Sequence, residues 1–233
     1  MLDVDDIDII HNIRKIQRRK WKGRILMSLK IENASKGFDE ILFEELDFEV
    51  QKGEIVALLG NSGCGKSTLL RIICGLEKLD VGQIYLQDKN ITQIHPSKRK
   101  IGMIFQKPVL YPHLSVEKNI QLGLPKNTAK ADGKKQIKEI LATVQLEGFE
   151  KRKVDELSGG EKQRISFARA MLSKPEALMM DEPFSALDNE IRNELCDWTR
   201  KFLKEMEIPV IHVTHDENEA NRIADRVIRF DKL

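Results

Sequence analysis

The run Gly60-Asn61-Ser62-Gly63-Cys64-Gly65-Lys66-Ser67-Thr68 constrains this chain more than any other stretch. It reads G-x-x-x-x-G-K-S-T and follows the apolar segment Ile55-Val56-Ala57-Leu58-Leu59, so a buried strand enters a glycine-rich turn. Leu69 to Cys74 then continue with helical apolar spacing, and Gly75 supplies a stop. Glycines are needed because the turn must wrap a polyphosphate closely enough for successive backbone N–H groups to point inward. The positive end of the helix that starts near Lys66 adds to the attraction. Lys66 is expected to reach the β and γ phosphates, the Ser67 hydroxyl to ligate Mg²⁺, and Thr68 to supply another donor. The loop is therefore read as a nucleoside triphosphate site. Cys64 within it has two readings: a thiol made reactive by the helix N-terminus, or a small residue tolerated in the turn.

At 233 residues the chain suits one α/β domain with a smaller insertion. A formal net charge of +2 gives no basic field of the kind that grips nucleic acid, so no nucleic-acid partner is expected. Cys64, Cys74 and Cys196 have no metal-ligand spacing, which fits a reducing compartment. No apolar run approaches a membrane span and no signal-peptide core opens the chain. A cytoplasmic protein is expected, with any membrane contact made through a partner.

Residues 1–27 differ in composition from the rest, with acids from Asp3 to Asp8 and a basic run from Arg14 to Arg24. Ile9, Ile13 and Ile16 recur at helical spacing, so this extension reads either as an amphipathic helix anchored by Trp21 or as a mobile leader upstream of Met27. From Ser28 the period changes to two. Leu29 and Ile31, then Leu42, Leu46, Phe48 and Val50, alternate with charge as in antiparallel strands with one wet face. Ser35-Lys36-Gly37-Phe38 is read as a turn between them, and periodicity alone would put Phe38 in the core. Strands are expected again at Ile84-Tyr85-Leu86 and at Ile101 to Phe105, ending on Gln106. Beyond Gln106 the pattern is helical, and a helical subdomain is expected over about 107–172, with Ser115 capping a helix from Val116.

Leu157-Ser158-Gly159-Gly160-Glu161 has the S-x-x-E spacing of a capping box. Two glycines at a helix start lower helix propensity, but they suit a second anion that must come close to the backbone. Ala177-Leu178-Met179-Met180-Asp181-Glu182 is an apolar run closed by two acids. Successive strand residues face opposite ways, so one acid faces the Mg²⁺ shell and the other the attacking water. Pro183-Phe184-Ser185-Ala186-Leu187-Asp188 turns into a long amphipathic helix. A last buried strand, Val210 to Thr214, ends at His215, where ligands bind in open α/β sheets. His215 is assigned to the γ-phosphate, and His212 inside the strand to structure. Asp216 and Glu219 are read as another capping box.

Together these motifs resemble the nucleotide-binding subunits of ABC transporters, from about residue 28 to the end of the chain. The resemblance implies a P-loop NTPase core with an N-terminal antiparallel β subdomain and an inserted α-helical subdomain, with ATP and Mg²⁺ bound. It implies Phe38 stacked on adenine and Gln106 linking Mg²⁺ and the water to the helical subdomain. Asp181 matches the metal-binding acid, Glu182 the general base, His215 the switch histidine, and Asp188 closes the D-loop. Ser158, Gly159 and Gly160 would act across a head-to-tail dimer, on ATP held by the other subunit.

The implied partners are a second copy or a second ABC subunit, an integral membrane permease, and indirectly a solute-binding protein. Tyr111 to Val116 and Asp181 to Asp188 resemble the importer class, which places the protein on the inner face of the cytoplasmic membrane. A soluble ABC-type ATPase is the competing reading, and so is a clamp that binds ATP without hydrolysing it; Glu182 and His215 together argue against the clamp.

Overall fold

The computed structural model describes residues 28–230, and the amphipathic helix considered for residues 1–27 lies outside them. Alternating apolar residues build a first sheet. β1 (Leu29–Gly37) and β2 (Ile41–Val50) form an antiparallel hairpin. β4 (Val81–Leu86) adds to the other edge of β1, and the short β5 (Lys89–Asn90) pairs with β4. Leu29, Ile31, Phe48, Val50 and Ile84 bury one face of it.

β1 runs on through Gly37, so the expected turn at 35–38 is displaced to 38–40. That displacement overturns the core reading of Phe38. At the hairpin tip its side chain stands outside the buried core, and the residue is 64% exposed.

The second sheet consists of β3 (Ile55–Leu59), β6 (Ile101–Ile104), β7 (Ala177–Asp181), β8 (Val210–Thr214) and β9 (Arg226–Arg229), in the order β6-β7-β8-β3-β9. All its pairings are parallel. Every residue of β3, β7 and β8 is buried, because both faces of the sheet are covered.

α1 (Lys66–Cys74) lies between the two sheets, where Leu69, Leu70, Ile72 and Ile73 join one core with Ile31 and Ile84 on one side and Val56 and Ile211 on the other. The far face of the parallel sheet packs Met180 and Val210 against α4 (Gly159–Leu172) and α5 (Asn189–Met206), through Phe167, Leu195 and Phe202. α2 (Val116–Gln121) and α3 (Lys130–Thr143) form a smaller core with α4, from Val116, Ile120, Ile137, Leu141 and Ile165. α6 (Glu217–Ile223) covers the other end of β3 through Ala220.

One buried cation ties α1 down. Arg99, 6% exposed, donates to the carbonyls of Ile72 and Ile73 in the last turn of α1 and to those of Thr92 and Ile94. A positive charge there complements the negative end of the helix.

Candidate active site

Neighbouring strands β6, β7, β8 and β3 deliver Gln106, the Asp181–Glu182 pair, His215 and the Gly60 loop to one edge of the sheet. This is the carboxyl-terminal edge, where open parallel sheets take ligands.

The loop turns into α1 at Gly65, whose φ of 99° is left-handed backbone that disfavours any side chain. Lys66 is 4% exposed and its ammonium donates to the carbonyls of Gly60 and Asn61, each at 2.7 Å, with Cys64 Sγ at 3.6 Å. The ammonium is thus held at the mouth of the turn, over the loop's own carbonyls. Ser67 Oγ donates to Asp181 Oδ1 at 2.7 Å, a link between α1 and the end of β7. Glu182, with φ 44°, leaves the strand conformation directly after Asp181. Its Oε2 lies 3.1 Å from His215 Nδ1.

Gln106 Nε2 donates to Ser185 Oγ at 3.1 Å, and that hydroxyl donates to the Glu182 carbonyl at 3.1 Å. A cavity of about 290 Å³ is lined by Ser62, Gly63, Gly65, Lys66, Ser67, Thr68, Gln106, Asp181 and Glu182.

The remaining candidates lie outside that cavity's lining. Phe38 stands at the hairpin tip with the Lys36 ammonium 4.7 Å from its ring centre. Ser158 caps α4: its hydroxyl accepts from the Glu161 amide at 3.2 Å, and Glu161 Oε2 accepts from the Ser158 amide at 2.7 Å. The first glycine after it is also close-packed, which sequence reasoning did not reach: a Cβ on Gly159 would come within 3.2 Å of Leu187 Cδ2, whereas one on Gly160 would make near-ordinary contact, at 3.4 Å, with Ile191 Cγ2. Asp188 caps α5, accepting from the Ile191 amide at 3.0 Å.

The expected box at Asp216 and Glu219 forms by half. Asp216 accepts from the amides of Asn218 and Glu219, but the Glu219 carboxylate turns inward, 2.7 Å from His212 Nε2. His212 has no exposed surface and Glu219 is 4% exposed, so the tertiary partner displaces the local one. Burial pushes the Cys74 and Cys196 thiols up to about 12, which leaves both inert.

The family model for ABC transporters matches residues 43–185, more than half of the chain. The chain belongs to the ABC transporter family. The sulfate/thiosulfate import ATP-binding protein of Halalkalibacterium halodurans is 42% identical to this ABC chain over 208 residues, spanning 87% of it and 58% of the relative. The Fe(3+) ions import ATP-binding protein of Fusobacterium nucleatum is 40% identical over 203 residues, spanning 86% of it and 55% of the relative. The chain therefore spans rather more than half the length of these relatives. Among solved structures, the dimeric bacterial ABC transporter cassette MJ0796 superposes with a TM-score of 0.74 at 30% identity, covering 86% of this chain and 93% of that one. Membership in the ABC family implies that the chain binds ATP. No helix among the described residues is long and apolar enough to cross a membrane.

Proposed function

We propose that this ABC chain is the ATP-hydrolysing subunit of an importer, working as a pair of cassettes that close on ATP beneath an integral membrane permease. The observation that carries the reading is the division of the site into two faces. Lys66, Ser67, Asp181 and Glu182 line the cavity, while the capped N-terminus of α4 at Ser158 lies outside it. A phosphate chain enclosed on two sides needs both faces, and a second copy turned head to tail supplies the missing one. Each Ser158 face then closes on the ATP of the other subunit.

Within that pair Lys66 binds the β and γ phosphates and Phe38 offers its exposed ring to adenine. Ser67 and Asp181 fit Mg²⁺, a hard cation that uses one or two protein oxygens and takes the rest from phosphate and water. When bound, Mg²⁺ supplies charge neutralisation at the phosphates. Glu182 orients the water and accepts its proton, His215 holds Glu182 in place and faces the terminal phosphate, and Gln106 connects the site towards α2 to α4. Loss of the γ-phosphate removes negative charge shared by both faces, and the pair loosens. A permease seated on the helical layer at the inner face of the cytoplasmic membrane would feel this as opening and closing, with a solute-binding protein on the far side. Relatives named for sulfate/thiosulfate and for Fe(3+) ions match at 42% and 40% identity, so the similarity singles out no cargo.

The test is a Glu182→Gln variant with saturating Mg²⁺ and ATP, followed by sedimentation. A dimer that forms with ATP and not with ADP supports the reading. A chain that stays monomeric at all nucleotide concentrations overturns it.

A further inference from the structure

Arg192 lies in the first turn of α5, where a cation opposes the helix dipole. Helix electrostatics therefore do not account for it. Its guanidinium spans two segments, with Nη1 donating to Asp216 Oδ2 at 3.0 Å and Nη2 to the Leu187 carbonyl at 2.8 Å. Both acceptors belong to turns that carry site residues. Leu187 follows Ser185, which accepts from Gln106 and donates to the Glu182 carbonyl. Asp216 follows His215 directly.

Asp216 divides its carboxylate between two tasks. Oδ1 accepts from the Asn218 and Glu219 amides at 2.8 and 3.1 Å, and Oδ2 is left for Arg192. The Glu219 amide, with help from the Asn218 amide and Arg192, holds this carboxyl below its usual range. The Asp216 amide in turn donates to Thr214 Oγ1 at 3.1 Å. His215 thus sits between two anchored residues, while its own side chain is 53% exposed.

We propose that Arg192 is a positioning residue for hydrolysis: by bridging the Leu187 carbonyl and the Asp216 carboxylate, it fixes the turn after Glu182 against the turn that carries His215. The Glu182–His215 contact then inherits its geometry from a group that touches neither residue. The plainer account is an ion pair between α5 and α6 that contributes only stability. That account predicts a loss of stability with turnover per folded chain unchanged. The two accounts differ in what the loss of Arg192 does to turnover, and the inference rests on the hydrolysis reading above.

Arg192→Met keeps the aliphatic stem and removes both bonds. For the full chain with Mg²⁺ and ATP we expect kcat to fall about ten- to a hundredfold, as a misplacement of roughly 1 Å would cause, with KM and nucleotide affinity unchanged. Arg192→Lys, which reaches one acceptor, recovers part of the loss. In the nucleotide-free protein the ring resonances of His215 shift in Arg192→Met while those of His95 and His113 stay. If Arg192→Met does not fold, Asp216→Asn keeps an oxygen for the α6 cap, removes the ion pair and is expected to show the same split. Wild-type kcat and an unmoved His215 resonance in the folded variant overturn the role of Arg192. Absence of turnover in the wild-type chain overturns the hydrolysis reading instead, and the inference with it.

Discussion

His215 Nδ1 lies 3.1 Å from Glu182 Oε2, across the gap between the ends of β8 and β7. The imidazole contacts one carboxylate oxygen and so fixes the direction of the Glu182 side chain, and in the proposed reading the second oxygen is the one that orients the water.

Glu182→Gln keeps the shape and the contact to His215 but cannot accept a proton. Turnover is expected to fall by roughly 10²–10⁴-fold, the usual contribution of a positioned base, with ATP affinity retained. Steady-state phosphate release together with calorimetric ATP binding checks both halves, and turnover equal to wild type would refute the assignment.

Lys66→Ala acts on binding. Its ammonium faces the carbonyls of Gly60 and Asn61, so removal leaves the loop mouth with acceptors and no cation. A charge-assisted bond to phosphate contributes about 1.5–3 kcal/mol, so ATP affinity should drop about 10- to 150-fold. Titration calorimetry with a slowly hydrolysed ATP analogue measures it.

Phe38→Ala separates an adenine platform from a core residue. An exposed side chain contributes within about 0.5 kcal/mol to stability, so the melting temperature should hold. ATP affinity should fall on the order of tenfold, as expected for a lost stacking surface, while affinity for inorganic triphosphate stays. Equal loss for both ligands would remove Phe38 from the site.

Glu219→Ala leaves His212 buried, with Nε2 stripped of its partner and Nδ1 already lacking one. The expected destabilisation is about 1–3 kcal/mol, read by urea denaturation. Glu219→Gln, which restores an acceptor, should lose less.

Asp225 gives a pH signature. It accepts from the Ile55 amide at 2.9 Å, from Lys204 at 2.9 Å and from Arg200 at 2.8 Å. Partial burial pushes its carboxyl up, but the Lys204 ammonium, the Ile55 amide and the Arg200 guanidinium outweigh this and hold it below the usual range. A depressed carboxylate contributes fully above its unfolded pKa of about 3.9 and loses that contribution as pH falls through the folded value. The gap in melting temperature between wild type and Asp225→Asn should be constant above about pH 4 and close below it.

What the sequence revealed and what it hid divide along a physical line. The Gly60–Thr68 turn, the Ser158–Glu161 box and the Gly75 stop are set within a turn or two of chain, and they form as read. Periodicity alone put Phe38 in the core because β1 continues through a register shift between Lys36 and Gly37, which alternation cannot anticipate. Glu219 had two possible partners, one local and one across the fold, and spacing shows only the first. Arg192 carries no motif at all. Its role exists only because the turns after β7 and β8 are brought side by side, and a search for cations at helix N-termini that violate the dipole rule is the signal that would have found it.

Arg99 decides how firmly the helix behind the Lys66 loop is seated. Its guanidinium closes four carbonyls, two of them at the tail of α1. A helix bolted at its tail makes the loop at its head an abutment and not a spring. In the proposed pair of cassettes, a phosphate leaving the Lys66 loop would find α1 already anchored between the sheets, so the movement would have to arise outside that helix.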